Sequence, residues 1–373
     1  MTRLSSRSFV YLFCISIITS LLAVAALNIY FNPWQDYGEK GTQFIYNDRR
    51  TKVEYLNSLP ADSLPEVYVF GSSVLMRMMP ASIERELKRP AFNFCVLGAS
   101  TDDYYCIISY LVNDLGLRDG LIIIGLDSWV FQSQQPEHPV FPGIDRRLLN
   151  CPALVKYHPS INIINATWAN VVDALSMQQT LLSVSDLRNH NKRQMQVPLE
   201  DYHGFNTDGT LNVYQDLLHH KGNIRDLVDT GQYDINEYME HLKSSQEFYT
   251  HPGYLRYRID QFSDEKIELF DKAIALSGKN GIRMILILNP VHPVFTQLLE
   301  SHFNYDGHLA HFKSIITSLK NKYDNIPVVF DATDLASFGG SDRGFYDAIH
   351  PSTPNSDLLL KKAVELYRER AAR

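Results

Sequence analysis

Two residues far apart in the sequence have side chains that could act together as a nucleophile and a base. Ser73 follows the apolar run "EVYVFGSS", and His350 lies in "GFYDAIHPS", three residues after Asp347. In serine-dependent acyl transfer, an imidazole takes the hydroxyl proton and a carboxylate fixes the tautomer of that imidazole. Ser72 and Ser73 also have an ordinary interpretation, because serine is common in turns and at helix amino-terminal caps.

Short apolar runs alternate with longer amphipathic stretches after residue 65, and this pattern predicts the elements that carry these residues. Continuous apolar character is typical of strands covered on both faces. Strand–helix alternation predicts an α/β fold with a doubly wound, mainly parallel sheet. The predicted strands are 66–70, 92–96, 121–126, 283–288 and 327–331, and the predicted helices include 47–59, 81–89, 102–116, 264–281, 307–323 and 355–370.

The interval between the third and fourth predicted strands is too long for a single crossover. It predicts an inserted helical subdomain at about 130–263, with a helix over 161–182. Ligands of parallel α/β sheets bind at the carboxyl ends of the strands. The residues that follow the strands are therefore candidates for a site: Ser72, Ser73, Gly98, Asp127, Asn289 and His292.

These motifs resemble the SGNH (GDSL-type) hydrolase superfamily, over about 65–130 and 280–373. "FGSS" is similar to the first family block, with Ser73 at the nucleophile position and Ser72 replacing an aspartate. "FCVLGAS" is similar to the second block, and "DAIH" to the last. The resemblance implies an SGNH/flavodoxin-like fold, with Ser73, His350 and Asp347 as the catalytic residues and the N–H groups of Ser73 and Gly98 as oxyanion donors.

The third block departs from the family. "GLDS" places Asp127 where the family has an asparagine whose amide stabilises the oxyanion. An ionised aspartate donates no hydrogen bond, and the loss of one oxyanion donor typically costs about 2.7–4 kcal/mol of barrier. Asn289 or Asn93 could substitute as a donor, and Asp127 could equally be a local turn cap. His292 could contact substrate or pack within its loop.

The amino terminus predicts a membrane segment. Residues 9–31 contain no charged side chain, and Arg3 and Arg7 precede them. The run is long enough to cross a hydrocarbon core of about 30 Å, and the positive-inside rule leaves residues 1–8 in the cytoplasm. Cleavage of a signal peptide after about Ala25 is the alternative. We expect a single-pass signal-anchor of the bacterial cytoplasmic membrane, a tether over 32–64 and an extracytoplasmic (periplasmic) domain over 65–373.

Composition excludes several other classes of protein. A net charge of −7 argues against a nucleic-acid partner. Four cysteines are too few for a disulfide scaffold, although a single Cys95–Cys106 or Cys106–Cys151 bridge stays open. The histidines, including His219 and His220, lack metal-ligand spacing, so we predict no metal and no cofactor.

Within this superfamily, the chain resembles most the proteins of polysaccharide O-acetylation and the teichoic-acid D-alanyl transfer protein. The features that carry this resemblance are the anchor, the serine-rich first block and the insertion. It implies an O-acetyltransferase or esterase that acts on a cell-surface polysaccharide of the cell envelope, with a membrane-bound O-acyltransferase as partner. Two other functions stay open. One is a non-catalytic scaffold or glycan-binding module, for which Asp127 is the best indication. The other is an independent lipase or esterase.

Overall fold

The computed structural model describes residues 6–31, 48–132, 174–189, 207–210, 228, 234–250 and 261–371. Within these ranges the α-helices are α1 (Ser6–Phe31), α2 (Asp48–Ser58), α3 (Pro80–Leu87), α4 (Thr101–Asn113), α5 (Met177–Asn189), α6 (Ile235–Thr250), α7 (Asp264–Lys279), α8 (Pro293–Phe303), α9 (Tyr305–Lys322) and α10 (Thr353–Ala371). The strands are β1 (Val67–Phe70), β2 (Ala91–Asn93), β3 (Leu121–Leu126), β4 (Arg283–Leu288) and β5 (Val328–Asp331).

The five strands form one parallel sheet with the order β2-β1-β3-β4-β5. Val69 in β1 lies opposite Asn93 in β2 and Ile123 in β3. The chain first moves outward from β1 to β2 and then returns past β1 to β3, so the direction of winding reverses between β1 and β3. In open parallel sheets, ligands bind at such a reversal, outside the carboxyl ends of the strands.

Side chains alternate between the two faces of the sheet along each strand. Helices cover both faces. Val67 and Val69 of β1 pack in one core cluster with residues of α3 and α10. On α4 and α7, Tyr104 and Phe270 are buried with their rings 6.0 Å apart. The predicted α/β class and parallel sheet are thus confirmed. The second strand is shorter than predicted, and α8, which begins at Pro293, was not predicted.

The chain divides into two compact units. One comprises residues 1–47, 141–144 and 158–203, and the other contains the sheet. In the first unit, α1 is long and apolar enough to cross a membrane, which agrees with the predicted N-terminal apolar segment. In the second unit, α2 is packed on the domain through buried side chains that include Arg49, Lys52, Val53 and Leu56.

Some predictions fall on residues outside the described ranges. They include the first part of the tether, most of the insertion, His219, His220 and Cys151. The helix predicted over 161–182 lies outside these ranges up to residue 173, and the described helix α5 begins at Met177. Cys95 and Cys106 are both buried in the core and are not bonded to each other. The Cys106–Cys151 bridge stays a prediction, because Cys151 lies outside the described ranges.

Candidate active site

The turn after β1 presents Ser73 at the carboxyl edge of the sheet. Ser72 caps a 3₁₀ turn over Ser73–Leu75, because its side-chain oxygen accepts a hydrogen bond from the N–H of Val74 at 3.2 Å. Ser72 is buried, whereas Ser73 is partly exposed. The turn lies close over β3: a Cβ atom at Gly125 would be only 2.7 Å from Cγ of Leu75. Glycine at this strand position therefore leaves room for the turn that carries Ser73.

His350 connects Ser73 to Asp347. Its Nε2 lies 2.8 Å from Oγ of Ser73, and its Nδ1 lies 2.7 Å from Oδ2 of Asp347. Both distances are in the hydrogen-bonding range. The imidazole and carboxylate side chains are 18% and 14% exposed, so the group is sheltered without being sealed from solvent. The structure thus brings together the hydroxyl, imidazole and carboxylate groups that the sequence singles out.

The Asp347 carboxylate is held in its ionised form. Oδ1 accepts hydrogen bonds from the N–H groups of Ile349 and His350, each at 2.9 Å. Burial alone raises the pKa of Asp347, but the nearby His350 and these hydrogen bonds together hold that pKa well below its usual range. An ionised carboxylate only accepts, so the neutral imidazole carries its proton on Nδ1. Its Nε2 is then the acceptor that faces the Ser73 hydroxyl.

The loop that carries Asp347 and His350 is fixed from several sides. Within the loop, Tyr346 donates its N–H to the carbonyl oxygen of His350 at 2.8 Å. From α6, Ser245 accepts a hydrogen bond from the N–H of Ala348 at 3.0 Å. The Arg77 guanidinium lies 4.5 Å above the centre of the Tyr346 ring. Because Arg77 follows the Ser73 turn, this contact joins the segment of the nucleophile to the segment of the base.

Two backbone N–H groups are available to an oxyanion. Within the described part of the chain, neither the N–H of Ser73 nor that of Gly98 makes a hydrogen bond. Both residues are partly exposed, and Gly98 has a φ of 61°, which glycine adopts without strain. Val96 donates its N–H to the carbonyl oxygen of Gly71 at 3.0 Å, so the Gly98 loop runs beside the Ser73 turn. These two N–H groups, on neighbouring segments and without an acceptor in the ranges described, are therefore candidate donors for an oxyanion hole.

Side chains of helix α2 donate hydrogen bonds to backbone oxygens of the segment that leads from β2 to Gly98. Nζ of Lys52 donates to the carbonyl oxygens of Asn93 and Cys95 at 2.9 and 2.6 Å. The Arg49 guanidinium donates to the carbonyl oxygen of Leu97 at 3.1 Å and also pairs with Asp103. The residue before Gly98 is therefore tied directly to α2.

Asp127 and Asn289 meet at the ends of β3 and β4. Nδ2 of Asn289 donates to Oδ1 of Asp127 at 2.8 Å, and Asp127 is only 2% exposed. Asn93 donates both amide protons to the carbonyl oxygens of Leu75 and Met78. It is therefore not available as an oxyanion donor, and its role is to hold the segment after Ser73.

His292 lies beside the base but is packed within its own loop. Its Nδ1 accepts a hydrogen bond from the N–H of Val294, which caps α8, and its ring contacts Phe345. The backbone N–H of His292 donates to the carbonyl oxygen of Ala348 at 3.1 Å. This hydrogen bond joins the loop after β4 to the loop that carries His350. Burial lowers the pKa of His292, against the opposing effect of Asp342 and Asp347.

Several supporting residues were not found from the sequence. Arg77 had a recognisable signal, since it is a lone cation in the apolar run "VLMRMM". Ser245 had none, because the serine is ordinary on a helix surface. Arg49 and Lys52 lie in the polar stretch "NDRRTKVEY" and look like solvated charges.

The site brings together a serine hydroxyl, an imidazole–carboxylate pair and two backbone N–H groups without acceptors in the part of the chain that the structure describes, a set of groups that could carry out acyl transfer. Among the residues described here, no group of three or more His, Cys, Asp or Glu side chains is placed to hold a metal ion. No protein-family model matches this chain, and no curated protein matches it significantly.

Proposed function

We propose that this protein is a serine acyl-transfer enzyme, an O-acetyltransferase or esterase of the SGNH (GDSL-type) kind. The observation that carries the proposal is the bridging position of His350, whose two ring nitrogens lie 2.8 Å from Oγ of Ser73 and 2.7 Å from Oδ2 of Asp347. The resemblance of "FGSS", "FCVLGAS" and "DAIH" to the family blocks supports it independently of these distances.

The reaction follows from the orientation of these groups. Oγ of Ser73 attacks the carbonyl carbon of an ester while Nε2 of His350 takes the hydroxyl proton. The N–H groups of Ser73 and Gly98 stabilise the negative charge on the carbonyl oxygen. As the acyl–oxygen bond breaks, His350 returns the proton to the leaving alcohol. Water or another hydroxyl then attacks the acyl group on Ser73 while His350 takes its proton, and His350 returns that proton to Oγ of Ser73 as the acyl–Oγ bond breaks.

The substrate and location are part of the same proposal. The apolar helix α1 is compatible with a membrane anchor, and the charge pattern around it favours an extracytoplasmic catalytic domain. An enzyme held at that surface would meet acyl groups on a cell-envelope polysaccharide. By resemblance, a membrane-bound O-acyltransferase is the partner that supplies the acyl group.

A fluorophosphonate probe tests the catalytic proposal. The Ser73 oxygen displaces fluoride and forms a phosphonate ester, so the full-length protein should be labelled and Ser73→Ala should not. Ser301→Ala is the matched control, because its exposed hydroxyl on α8 donates to the carbonyl oxygen of Leu298 and also lies 2.7 Å from a ring nitrogen of His302, with no carboxylate hydrogen-bonded to that imidazole among the described contacts. Equal labelling of wild type and Ser73→Ala would exclude Ser73 as the nucleophile.

A non-catalytic glycan-binding or scaffold role is the second candidate. Asp127 favours it, because an acidic side chain replaces the expected amide donor. Acetate content of the surface polysaccharide separates the two functions. A catalytic enzyme requires Ser73 in cells, whereas a scaffold functions equally well with Ser73→Ala.

A further inference from the structure

In the first compact unit, helix α5 exposes apolar side chains on one side and buries a polar side chain on the other. Met177 and Leu181, one turn apart, are 77% and 63% exposed, whereas Ser183, on the opposite side of the helix, is fully buried. A surface helix of a soluble domain has its apolar stripe turned inward and its polar side chains turned outward.

The polar side of α5 is directed toward α1. Nδ2 of Asn28, in the last turn of α1, donates to Oγ1 of Thr180 at 2.9 Å and to the carbonyl oxygen of Ala174 at 2.8 Å. Ser183 lies three residues after Thr180 and therefore on the same side of α5. Small hydroxyl residues and an asparagine at the contact between two helices are typical of packing in membranes, where interhelical hydrogen bonds replace the hydrophobic driving force.

Helix α1 itself exposes apolar side chains. Leu21, Leu22 and Ile29 of α1 are 47%, 64% and 48% exposed, and α1 is long and apolar enough to cross a membrane. Asn28 lies three residues before the end of α1, or about 4.5 Å along the axis at about 1.5 Å per residue. The contact with α5 is therefore at the end of the membrane segment and not at its middle.

The length of α5 determines how it can enter a bilayer. It has 13 residues, or about 20 Å of helix, which is too short for a hydrocarbon core of about 30 Å. Arg188 is exposed near its end, on the same side as Leu181, seven residues away. A cationic side chain beside an apolar face suits a helix that lies at the boundary between headgroups and acyl chains.

We propose that α5 is a second membrane-binding element, an interfacial helix that lies beside the carboxyl-terminal end of α1 with Met177 and Leu181 in lipid. The proposal depends on insertion of α1 in the membrane and is independent of the chemistry at Ser73. It assigns the exposed apolar face of α5 to the bilayer, because the Asn28 contact places α5 beside the end of a helix that is long and apolar enough to cross a membrane.

Depth-dependent quenching in the full-length chain tests the proposal. A bimane label is attached to Leu181→Cys, or separately to Met177→Cys, after Cys14 and Cys151 are replaced by alanine. The protein is reconstituted in vesicles of phosphatidylethanolamine and phosphatidylglycerol. We expect nitroxide-bearing lipids to quench either label and aqueous iodide to leave it largely unchanged. Ser318→Cys on α9, which is exposed in the second unit, should show the opposite pattern.

A label at the natural Cys14, which is exposed on α1, tests the insertion of α1 separately from the membrane binding of α5. Quenching of Cys14 by lipid, together with iodide quenching at residues 177 and 181, would overturn the role of α5 while leaving the anchor intact. Protection of the α5 labels from both quenchers would also overturn it, because another protein surface would then cover α5. If mass spectrometry showed that α1 is removed from the mature chain, the proposal for α5 would be overturned, because it depends on membrane insertion of α1.

Discussion

Nζ of Lys52 lies 2.6 Å from the carbonyl oxygen of Cys95, three residues before Gly98. The side chain is only 1% exposed, so this cation is a structural part of the domain. Together with Arg49, it holds the loop that presents the Gly98 N–H beside the Ser73 turn. The segment predicted as a tether thus contributes directly to the proposed oxyanion hole.

Replacing Lys52 should weaken both the fold and the site. Lys52→Met fills a similar volume but leaves the buried carbonyl oxygens of Asn93 and Cys95 without this donor, which should cost about 1–3 kcal/mol of unfolding free energy. Thermal unfolding of the purified protein measures the loss. Lys361→Met, an exposed change on α10, should stay within about 0.5 kcal/mol of wild type. An unchanged melting temperature for Lys52→Met would show that Lys52 does not hold this loop.

Removing the charge of Asp347 should affect reactivity far more than folding. Asp347→Asn can favour the wrong tautomer of His350 and cannot stabilise the imidazolium, so ester hydrolysis should fall by on the order of 10⁴-fold in kcat. Stopped assays with an activated acetate ester measure this, with Asp324→Asn as the exposed carboxylate control. A decrease of less than about tenfold would contradict the proposed role of Asp347.

Neutralising Asp127 should accelerate acyl transfer. Asp127→Asn keeps an oxygen that can accept from Nδ2 of Asn289 and restores the amide that the resembled family has in this block. The rate of acylation at Ser73 should rise by up to about a hundredfold, which is the effect attributed to one oxyanion donor. The rate of fluorophosphonate labelling at Ser73 is the measurement. A slower variant that remains folded would instead assign the Asp127 carboxylate a positive role.

The burial of His292 should make stability depend on pH. Its pKa is lowered in the folded protein from the usual 6.5, so the unfolded state binds more protons as the pH falls below about 6.5. The contribution of His292 is therefore complete above that pH and is lost as the pH falls toward its lowered pKa. His292→Asn retains an acceptor for the N–H of Val294 but does not titrate. Its melting temperature should fall less than that of wild type between pH 7 and pH 5; parallel curves would refute this.

Much of the fold could be predicted because the apolar runs are strong local signals. The runs "VYVF", "LIIIGL" and "RMILIL" coincide with β1, β3 and β4. The residues after β1 and before α10 could be selected because carboxyl ends of parallel strands converge on one edge. The strand order, together with the spacing and resemblance of "DAIH", predicts that Ser73 and His350 lie near each other, and Oγ of Ser73 is 2.8 Å from Nε2 of His350 in the structure.

The supporting contacts could not be predicted in the same way. From the sequence, Lys52 has the features of an ordinary surface cation, and Asn28 those of an isolated polar residue in an apolar helix. Their partners are the carbonyl oxygen of Cys95 and the hydroxyl of Thr180, which are distant in the sequence. The Asn289–Asp127 hydrogen bond spans 162 positions. Pairings of this kind arise from tertiary packing, and neither periodicity nor propensity encodes them.

The 277 positions between Ser73 and His350 also set the order in which the proposed catalytic groups are synthesised. The ribosome delivers the proposed nucleophile long before its proposed base, so a chain that stops between them has the serine hydroxyl without the imidazole. Under the proposed mechanism, ester cleavage would require the loop of His350 to have closed on the sheet.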